Sequence, residues 1–458
     1  MKIVRALLLS FAAFSATAGL AATINNDDSC DVAVLPAATL LLPYFEVDLD
    51  NFNRETTLFT LTNVTNLDRI ARVTLWTDRS YPVIAFNIYL TGYDVQSINL
   101  FDVMARGIIA PDQGTGTDVT KRGSYSDFNP AIDLSGCGRL PGALDPVYVD
   151  RMQSAFRVGT VPKLGPSPAC NQVGGVHANA VGYATIDVVR TCSSHLPTER
   201  AYWLEDIAFE NVLTGDYQQV DSVNNFAQGN PLVHIRAIPE GGTPVERRAQ
   251  PAAFDAGFPR TFYSRYQAAS EPRFDGRQPL PSTFAARWIE GSSSSFQTSL
   301  KVWREGTTGP DAACGDYAAQ DELYVTDVVR FDEAENAFAG GSSLGDPPIG
   351  FTPMLPPTSR TSVSDGAVFP HVANGAVAGW VYLNLDRCGL VFPNVGPCAD
   401  GTGAQAWVVT SMRAEGRYST DADATALGNG CSQAQPSSEV SRSGGVVIGP
   451  AANQGSRP

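Results

Sequence analysis

Apolar and polar residues alternate along many short stretches of this chain, and Gly, Pro, Asn and Asp interrupt them at short intervals. In one example Phe45, Val47 and Leu49 point to one side and Glu46 and Asp48 to the other, as in a half-buried strand. The same signal predicts strands over 57–62, 71–77, 83–90, 182–190, 233–238, 298–303, 323–331, 380–385 and 406–412. Many short strands joined by turns are typical of antiparallel sandwiches. We therefore expect a mainly β protein with two antiparallel, immunoglobulin-like β-sandwich domains.

Helix signals are few. An Asp-Pro pair at 145–146 predicts the start of a short helix that ends near Gly159. Its apolar stripe would consist of Val149, Met152 and Phe156. A second helix of one or two turns is predicted over 99–105, shortly before Gly107.

Several sequence features recur in the same order in the two halves of the chain. The matched segments are 57–59 with 283–285, 71–76 with 298–303, 182–190 with 379–387, and 215–217 with 416–418. The second match ends in Trp76 and Trp303, and the third is followed by Cys192 and Cys388. Two interpretations remain open: an internal duplication of one β domain, or two unrelated sandwiches of similar composition.

The length of 458 residues is too great for one ordinary domain. We predict an N-terminal β-sandwich domain over 22–240 and a C-terminal one over 282–436. A proline-rich connection, 241–281, would pack against one or both domains, and the small, polar tail 437–458 would be flexible.

The first residues predict export. Lys2 and Arg5 precede an uncharged, largely apolar run over 6–14, and small residues allow cleavage after Ala18 or Ala21. We therefore assign 1–21 as a signal peptide. No later stretch approaches ~18 uninterrupted apolar residues, so we expect no integral membrane segment in the mature chain. The expected location is secreted or cell-surface, with the periplasm as an alternative.

The formal net charge of −15 excludes one class of partner. An acidic chain repels nucleic acid, so nucleic acid is not an expected partner.

Eight cysteines in an exported protein predict up to four disulfides. The candidate pairs are Cys388 with Cys398 and Cys170 with Cys192.

No motif predicts catalysis. The Gly-x-Ser-x-Gly match at 341–345 lacks the strand and helix of a nucleophile elbow. His371 and His234 are the bases to test for a triad assembled across the fold. The acid doublets 205–206 and 332–333 lie beside aromatic residues that could stack on sugar rings. Because neighbouring residues of a strand point to opposite faces, neither doublet is itself a pair of facing carboxylates.

Calcium is the one cofactor that the sequence leaves open. Hard oxygen ligands concentrate at 48–53 and 25–28, although Phe52 and Asn53 depart from an EF-hand-type loop. We assign no metal ligands.

The tryptophans carry the one functional signal. Trp76 shares a strand face with Arg72, and Trp303 shares one with Lys301, so exposed rings could form a stacking platform. We therefore expect an exported, non-enzymatic binding or structural protein that recognises a glycan or a protein partner, with these four residues as candidate ligand-binding residues. The alternative is an extracellular polysaccharide hydrolase whose carboxylate pair comes from distant strands.

Overall fold

The fold is described here from a computed structural model of the chain. It describes residues 32–109, 144, 146–163, 169–192, 195–199, 201–237, 277, 280–290, 296–305, 321–322, 328–339, 354–369, 375–385, 405–414 and 418–427. Within these residues the protein is mainly β, with two α-helices and several antiparallel sheets.

Both helices follow the sequence signals. Helix α1 spans Leu100–Arg106 between an Asn99 N-cap and a Gly107 C-cap. The Asn99 side chain accepts the Phe101 N–H, and Gly107 has a φ of 71°, a left-handed conformation that glycine adopts without a steric penalty. Helix α2 spans Pro146–Val158 and buries the stripe predicted for it. Its apolar face joins the core of the first half of the chain.

The strands of the first half, residues 32–237, are β1 Thr39–Val47, β2 Thr56–Asn63, β3 Arg69–Thr77, β4 Pro82–Leu90, β5 Val95–Asn99, β6 Thr160–Val161, β7 Cys170–Asn171, β8 Ala180–Val189, β9 Leu213–Asp221, β10 Phe226–Pro231 and β11 Val233–Ile235. Those of the second half, residues 277–427, are β12 Thr283–Ile289, β13 Phe296–Arg304, β14 Asp321–Glu322, β15 Val328–Asp332, β16 Ala337–Ala339, β17 Met354–Leu355, β18 Thr358–Ser362, β19 Ala378–Asn384, β20 Ala406–Ala414, β21 Tyr418–Asp423 and β22 Thr425–Ala426. Each predicted strand segment overlaps one of these strands.

The two halves contain sheets of the same strand order. The first half has a five-stranded sheet, β11-β1-β8-β3-β4, and a four-stranded sheet, β10-β9-β2-β5. The second half has β22-β12-β19-β15-β16 and β21-β20-β13-β18. Taken in chain order, the strands of one half correspond one to one with those of the other, apart from the short pairs β6-β7 and β14-β17.

Two apolar clusters organise the molecule. In the first half, side chains from both sheets and both helices form one cluster, which includes Phe45, Phe59 and Phe156. The second cluster contains side chains from both sheets of the second half and continues into the first half through Trp76 and Tyr183. The two halves therefore share a buried junction.

The end of the predicted connection lies against both halves. Arg277 forms a β-bridge with Ala237, and Leu280 N–H donates to Gln405 Oε1 at 2.8 Å. Neither of the described helices is long and apolar enough to cross a membrane.

Candidate functional site

Trp76, a predicted ligand-binding residue, is a core residue. It lies on β3 with no exposed surface, and its indole N–H donates a 2.9 Å hydrogen bond to Thr185 Oγ1 on β8. Its ring stacks on Tyr183, with ring centroids 5.7 Å apart and planes 2° apart.

Trp303, the second predicted tryptophan, reaches the same tyrosine from β13. Its ring meets the Tyr183 ring edge to face at 5.9 Å and 72°, and it is 1% exposed. The structure thus brings the two tryptophans together around Tyr183, at the junction. The exposure on which the stacking interpretation depends is not observed, because the polar-patterned faces of β3 and β13 both face this junction.

Arg72, the polar neighbour of Trp76, belongs to a buried polar layer on the same sheet. Its guanidinium donates a 3.0 Å hydrogen bond to Asn87 Oδ1, and it lies opposite Asp187 in the register of β3 and β8. Asp187 accepts hydrogen bonds from Thr39 Oγ1 at 2.5 Å and from Tyr202 Oη at 2.6 Å. Burial, followed by the charge of Asp187, raises the pKa of Tyr202 well above its ordinary value. These groups are committed to one another rather than open to a ligand.

Lys301, the polar neighbour of Trp303, is also buried. Its ammonium donates a 2.6 Å hydrogen bond to Asp421 Oδ2 on β21 and lies 5.9 Å from the centre of the Tyr217 ring. Burial lowers the pKa of Lys301, although Asp421 opposes the shift. The ion pair connects β13 and β21, two strands of one sheet, and Tyr217 of the other half packs against it.

A further group of charges at the junction, among the described residues, is one that the sequence did not indicate. Glu46 at the end of β1 and Glu55 just before β2 both contact Arg360 on β18. Arg360 Nη1 lies 3.0 Å from Glu46 Oε2 and 3.1 Å from Glu55 Oε1. We call these three residues the acid–arginine cluster. They belong to different halves, so the cluster is also a contact across the junction.

The electrostatics of this cluster are strongly perturbed. Burial and, next, the neighbouring charge of Glu46 raise the pKa of Glu55 from 4.5 to about 7. Burial and Glu46 also raise the pKa of Tyr44, whose hydroxyl donates to Glu46 Oε2 at 2.8 Å. Burial alone would lower the pKa of Arg360, but the negative charges of the two glutamates raise it. Arg360 therefore keeps its positive charge, whereas Glu55 takes up a proton more readily than an ordinary glutamate.

Neither predicted acid doublet presents a pair of facing carboxylates. Asp206 is buried at the end of a π-helical turn, Tyr202–Asp206, and accepts from Thr191 Oγ1 at 3.1 Å. Asp332 Oδ1 accepts the N–H groups of Ala334 and Asn336 at the β15–β16 turn. Both acids thus stabilise local backbone turns or neighbouring side chains.

The histidines take structural contacts. His234 is buried, with Nδ1 2.8 Å from the Leu35 carbonyl oxygen and Nε2 bound by the Gly215 N–H at 3.3 Å. Two His–Asp contacts were not anticipated: His177 with Asp78 at 3.0 Å and His195 with Asp206 at 2.9 Å. His371 and the motif at 341–345 lie outside the described residues.

The first candidate calcium loop, 48–53, uses carboxylate and amide oxygens to bind its own backbone. Asp48 Oδ1 accepts the N–H groups of Asp50 and Asn51, and Asn51 Oδ1 accepts that of Asn53. No group of three or more His, Cys, Asp or Glu side chains suited to a metal ion occurs in the described part of the chain. The second candidate loop, 25–28, lies outside it.

Among the candidate cysteines, only Cys170 and Cys192 are described, and neither is a free thiol. The pairing of these two cysteines stays a prediction, as does that of Cys388 with Cys398, which lie outside the described residues.

Neither the protein-family models nor the curated proteins nor the solved structures gave a match to this chain.

Proposed function

We propose that the protein is an exported, non-enzymatic structural or partner-binding protein made of two antiparallel β-sandwich domains that arose by internal duplication. The observation that carries this proposal is the junction, where the aromatic and charged side chains most suited to ligand chemistry hold the two halves together. Such a body would present its exposed loops in fixed relative positions.

The shared strand order supports the duplication. The glycines of the third sequence match, Gly182 and Gly379, lie at corresponding positions of β8 and β19. Each precedes an aromatic residue that stacks on the strand beside it: Tyr183 on Trp76, and Trp380 on Phe331 with centroids 3.9 Å apart. The other three matches align strands that do not correspond in the sheet order. For example, Trp76 lies on β3, whereas Trp303 lies on β13, the counterpart of β2.

One end of the first half offers a surface for a glycan or protein partner. Leu67 and Tyr93, on two adjacent loops, are 57% and 69% exposed, and Val95, the first residue of β5, is 56% exposed. The loops are fixed to one another, because the Tyr93 N–H donates to the Thr65 carbonyl at 2.8 Å. We call these three residues the loop-tip surface. Side chains held on ordered loops lose little conformational entropy when they bind a partner.

A glycan-array screen of the mature protein tests the binding role. The Tyr93→Asn variant removes the ring and retains a residue type that tolerates the positive φ of 59° at this position. Tyr418→Asn is the matched control, since Tyr418 is an exposed tyrosine (51%) in the other half. Glycan binding that is lost in the first variant and kept in the second would support recognition by the loop-tip surface. Binding unchanged in both would exclude that surface.

A protein partner requires a separate experiment. A photo-crosslinking residue at position 93, with one at 418 as control, would be placed in the exported protein in its producing cells. A discrete adduct formed from position 93 alone would support a protein partner. The absence of both glycan binding and adducts would favour a purely structural role.

A second function, polysaccharide hydrolysis, is favoured by one observation. Glu46 and Glu55 converge from different strand segments, and Glu55 has a pKa of about 7, in the range of a general acid. Arg360 lies between them and contacts both, which suits an ion cluster better than a substrate site. Turnover in a polysaccharide panel that Glu55→Gln abolishes and Tyr93→Asn preserves would establish the hydrolase and overturn the non-enzymatic proposal.

A further inference from the structure

The acid–arginine cluster joins segments that are far apart in the chain. Glu46 and Glu55 are held side by side because the Asp48 N–H donates to the Glu55 carbonyl at 2.7 Å. Arg360 enters from the second half, and the three side chains are 17%, 9% and 14% exposed. Two carboxylates thus share one guanidinium nitrogen in a place that water reaches poorly.

The cations around the cluster offset this pair only in part, since Lys301 and Arg413 favour the charged form of Glu55 but its pKa is still raised. Lys301 is engaged by Asp421, and the remaining polar contacts of Glu46 are neutral: Tyr44 Oη and Asn179 Nδ2, the latter at 2.7 Å. The titratable or charged groups that bear on Glu55 and Arg360 are Tyr44 and Glu46 of β1, Lys301 of β13 and Arg413 of β20. Asp421 of β21 in turn bears on Lys301, and Asp221 of β9 bears on Arg413. Like charges that share one site in this way make it favourable for one acid to take up a proton.

We propose that the acid–arginine cluster is a proton-coupled latch on the folded chain: uptake of one proton by the Glu46–Glu55 pair of the first half stabilises the fold in mildly acidic surroundings, and its loss destabilises the fold at alkaline pH. With Glu55 neutral, Arg360 and Glu46 form a balanced pair. With both acids charged, repulsion between them within the first half opposes the folded arrangement. This inference does not depend on the binding role proposed above.

The direction of the pH effect follows from the pKa of Glu55, which rises from 4.5 to about 7 on folding. A raised pKa means that the folded protein binds more protons than the unfolded chain between these values. The stabilisation is complete below the unfolded value and is lost as the pH rises through about 7. From pH 6 to pH 8 this group alone should increase the unfolding equilibrium constant about tenfold.

Urea unfolding of the full chain at several pH values from 6 to 8 tests the latch. The unfolding constant of the wild type should increase about tenfold more over this interval than that of Glu55→Gln, whose amide stays neutral. Glu210→Gln is the control, because Glu210 is an exposed acid (51%) that also pairs with an arginine, Arg69 at 2.8 Å. The control should keep the wild-type pH dependence. Equal pH dependence in the wild type and Glu55→Gln would overturn the proposal.

Hydrogen exchange keeps the proposal testable if Glu55→Gln does not fold. In the wild type, the amides of Asp48, bound to the Glu55 carbonyl, and Thr358, bound to the Asp78 carbonyl across the junction, report on the folded arrangement. After correction for intrinsic rates, their protection should fall between pH 6 and pH 8, by up to about tenfold for an amide that exchanges through global unfolding. Unchanged protection at the two junction amides would refute the latch.

Discussion

Gly182 lies opposite Phe45 in the first half, and Gly379 lies opposite Trp288 at the corresponding place in the second. At both sites a Cβ atom would collide with a backbone carbonyl on the other neighbouring strand, that of Trp76 or that of Phe331. Each half thus has a glycine where two strand backbones approach closely, opposite a large aromatic residue.

We therefore expect Gly182→Ala and Gly379→Ala each to destabilise the protein by about 1–3 kcal/mol, since backbone strands must move apart to admit the methyl group. Denaturant unfolding provides the measurement. Gly366→Ala is the control, because a Cβ there meets no atom within 4 Å, and it should stay within about 1 kcal/mol of the wild type. A cost below this level at both strand glycines would contradict the packing described.

Trp303→Ala should weaken the junction. Its ring is 1% exposed and packs edge to face against Tyr183 of the other half. Removing a buried tryptophan costs about 3–5 kcal/mol through lost contacts and the cavity that remains. Thermal or urea unfolding measures the loss, with Tyr418→Asn as the exposed control. A cost below about 1 kcal/mol would show that the junction does not form in solution.

The Lys301–Asp421 pair should show strong energetic coupling. Both side chains are buried, so Lys301→Met alone leaves an unpaired buried carboxylate and should cost about 3–5 kcal/mol. Changing Asp421 to Leu in the same chain should restore much of this stability, because no buried charge remains. A double-mutant cycle in urea measures the coupling. Additive effects would argue against the buried contact.

Export predicts the start of the mature chain. N-terminal sequencing of the protein recovered outside the cytoplasm should give Gly19 or Ala22, the residues that follow the two predicted cleavage positions. Replacing Ala18 and Ala21 with bulky residues should leave a longer precursor. A chain that keeps Met1 and stays in the cytoplasm would disprove the signal peptide.

Local sequence signals predicted the elements well, because their causes are local. Asn99 and Gly107 define a cap at each end of α1, and alternation placed the strands. The correspondence between the halves was less accessible: the match of 182–190 with 379–387 aligns corresponding strands, while the other matches follow shared strand composition.

The candidate site was the least predictable part, because it depends on tertiary pairing. Arg72 and Lys301 gave their strands a polar face that the sequence assigned to solvent, whereas the structure buries both with polar partners. Glu46 likewise had the pattern of an outward-facing acid. The sequence around Glu46 does not predict its contact with Arg360, which is 314 positions further along the chain.

The junction also determines whether the two halves can be produced as separate fragments. A fragment ending near residue 240 would uncover Tyr183 and remove the cation that Glu46 and Glu55 share. Its counterpart would uncover Trp303 and leave Arg360 without either acid. Each fragment would expose an apolar aromatic surface and an unpaired charge, and exposed apolar surface promotes aggregation. The full chain is therefore the unit to express, and the proline-rich connection is a poor place to cut it.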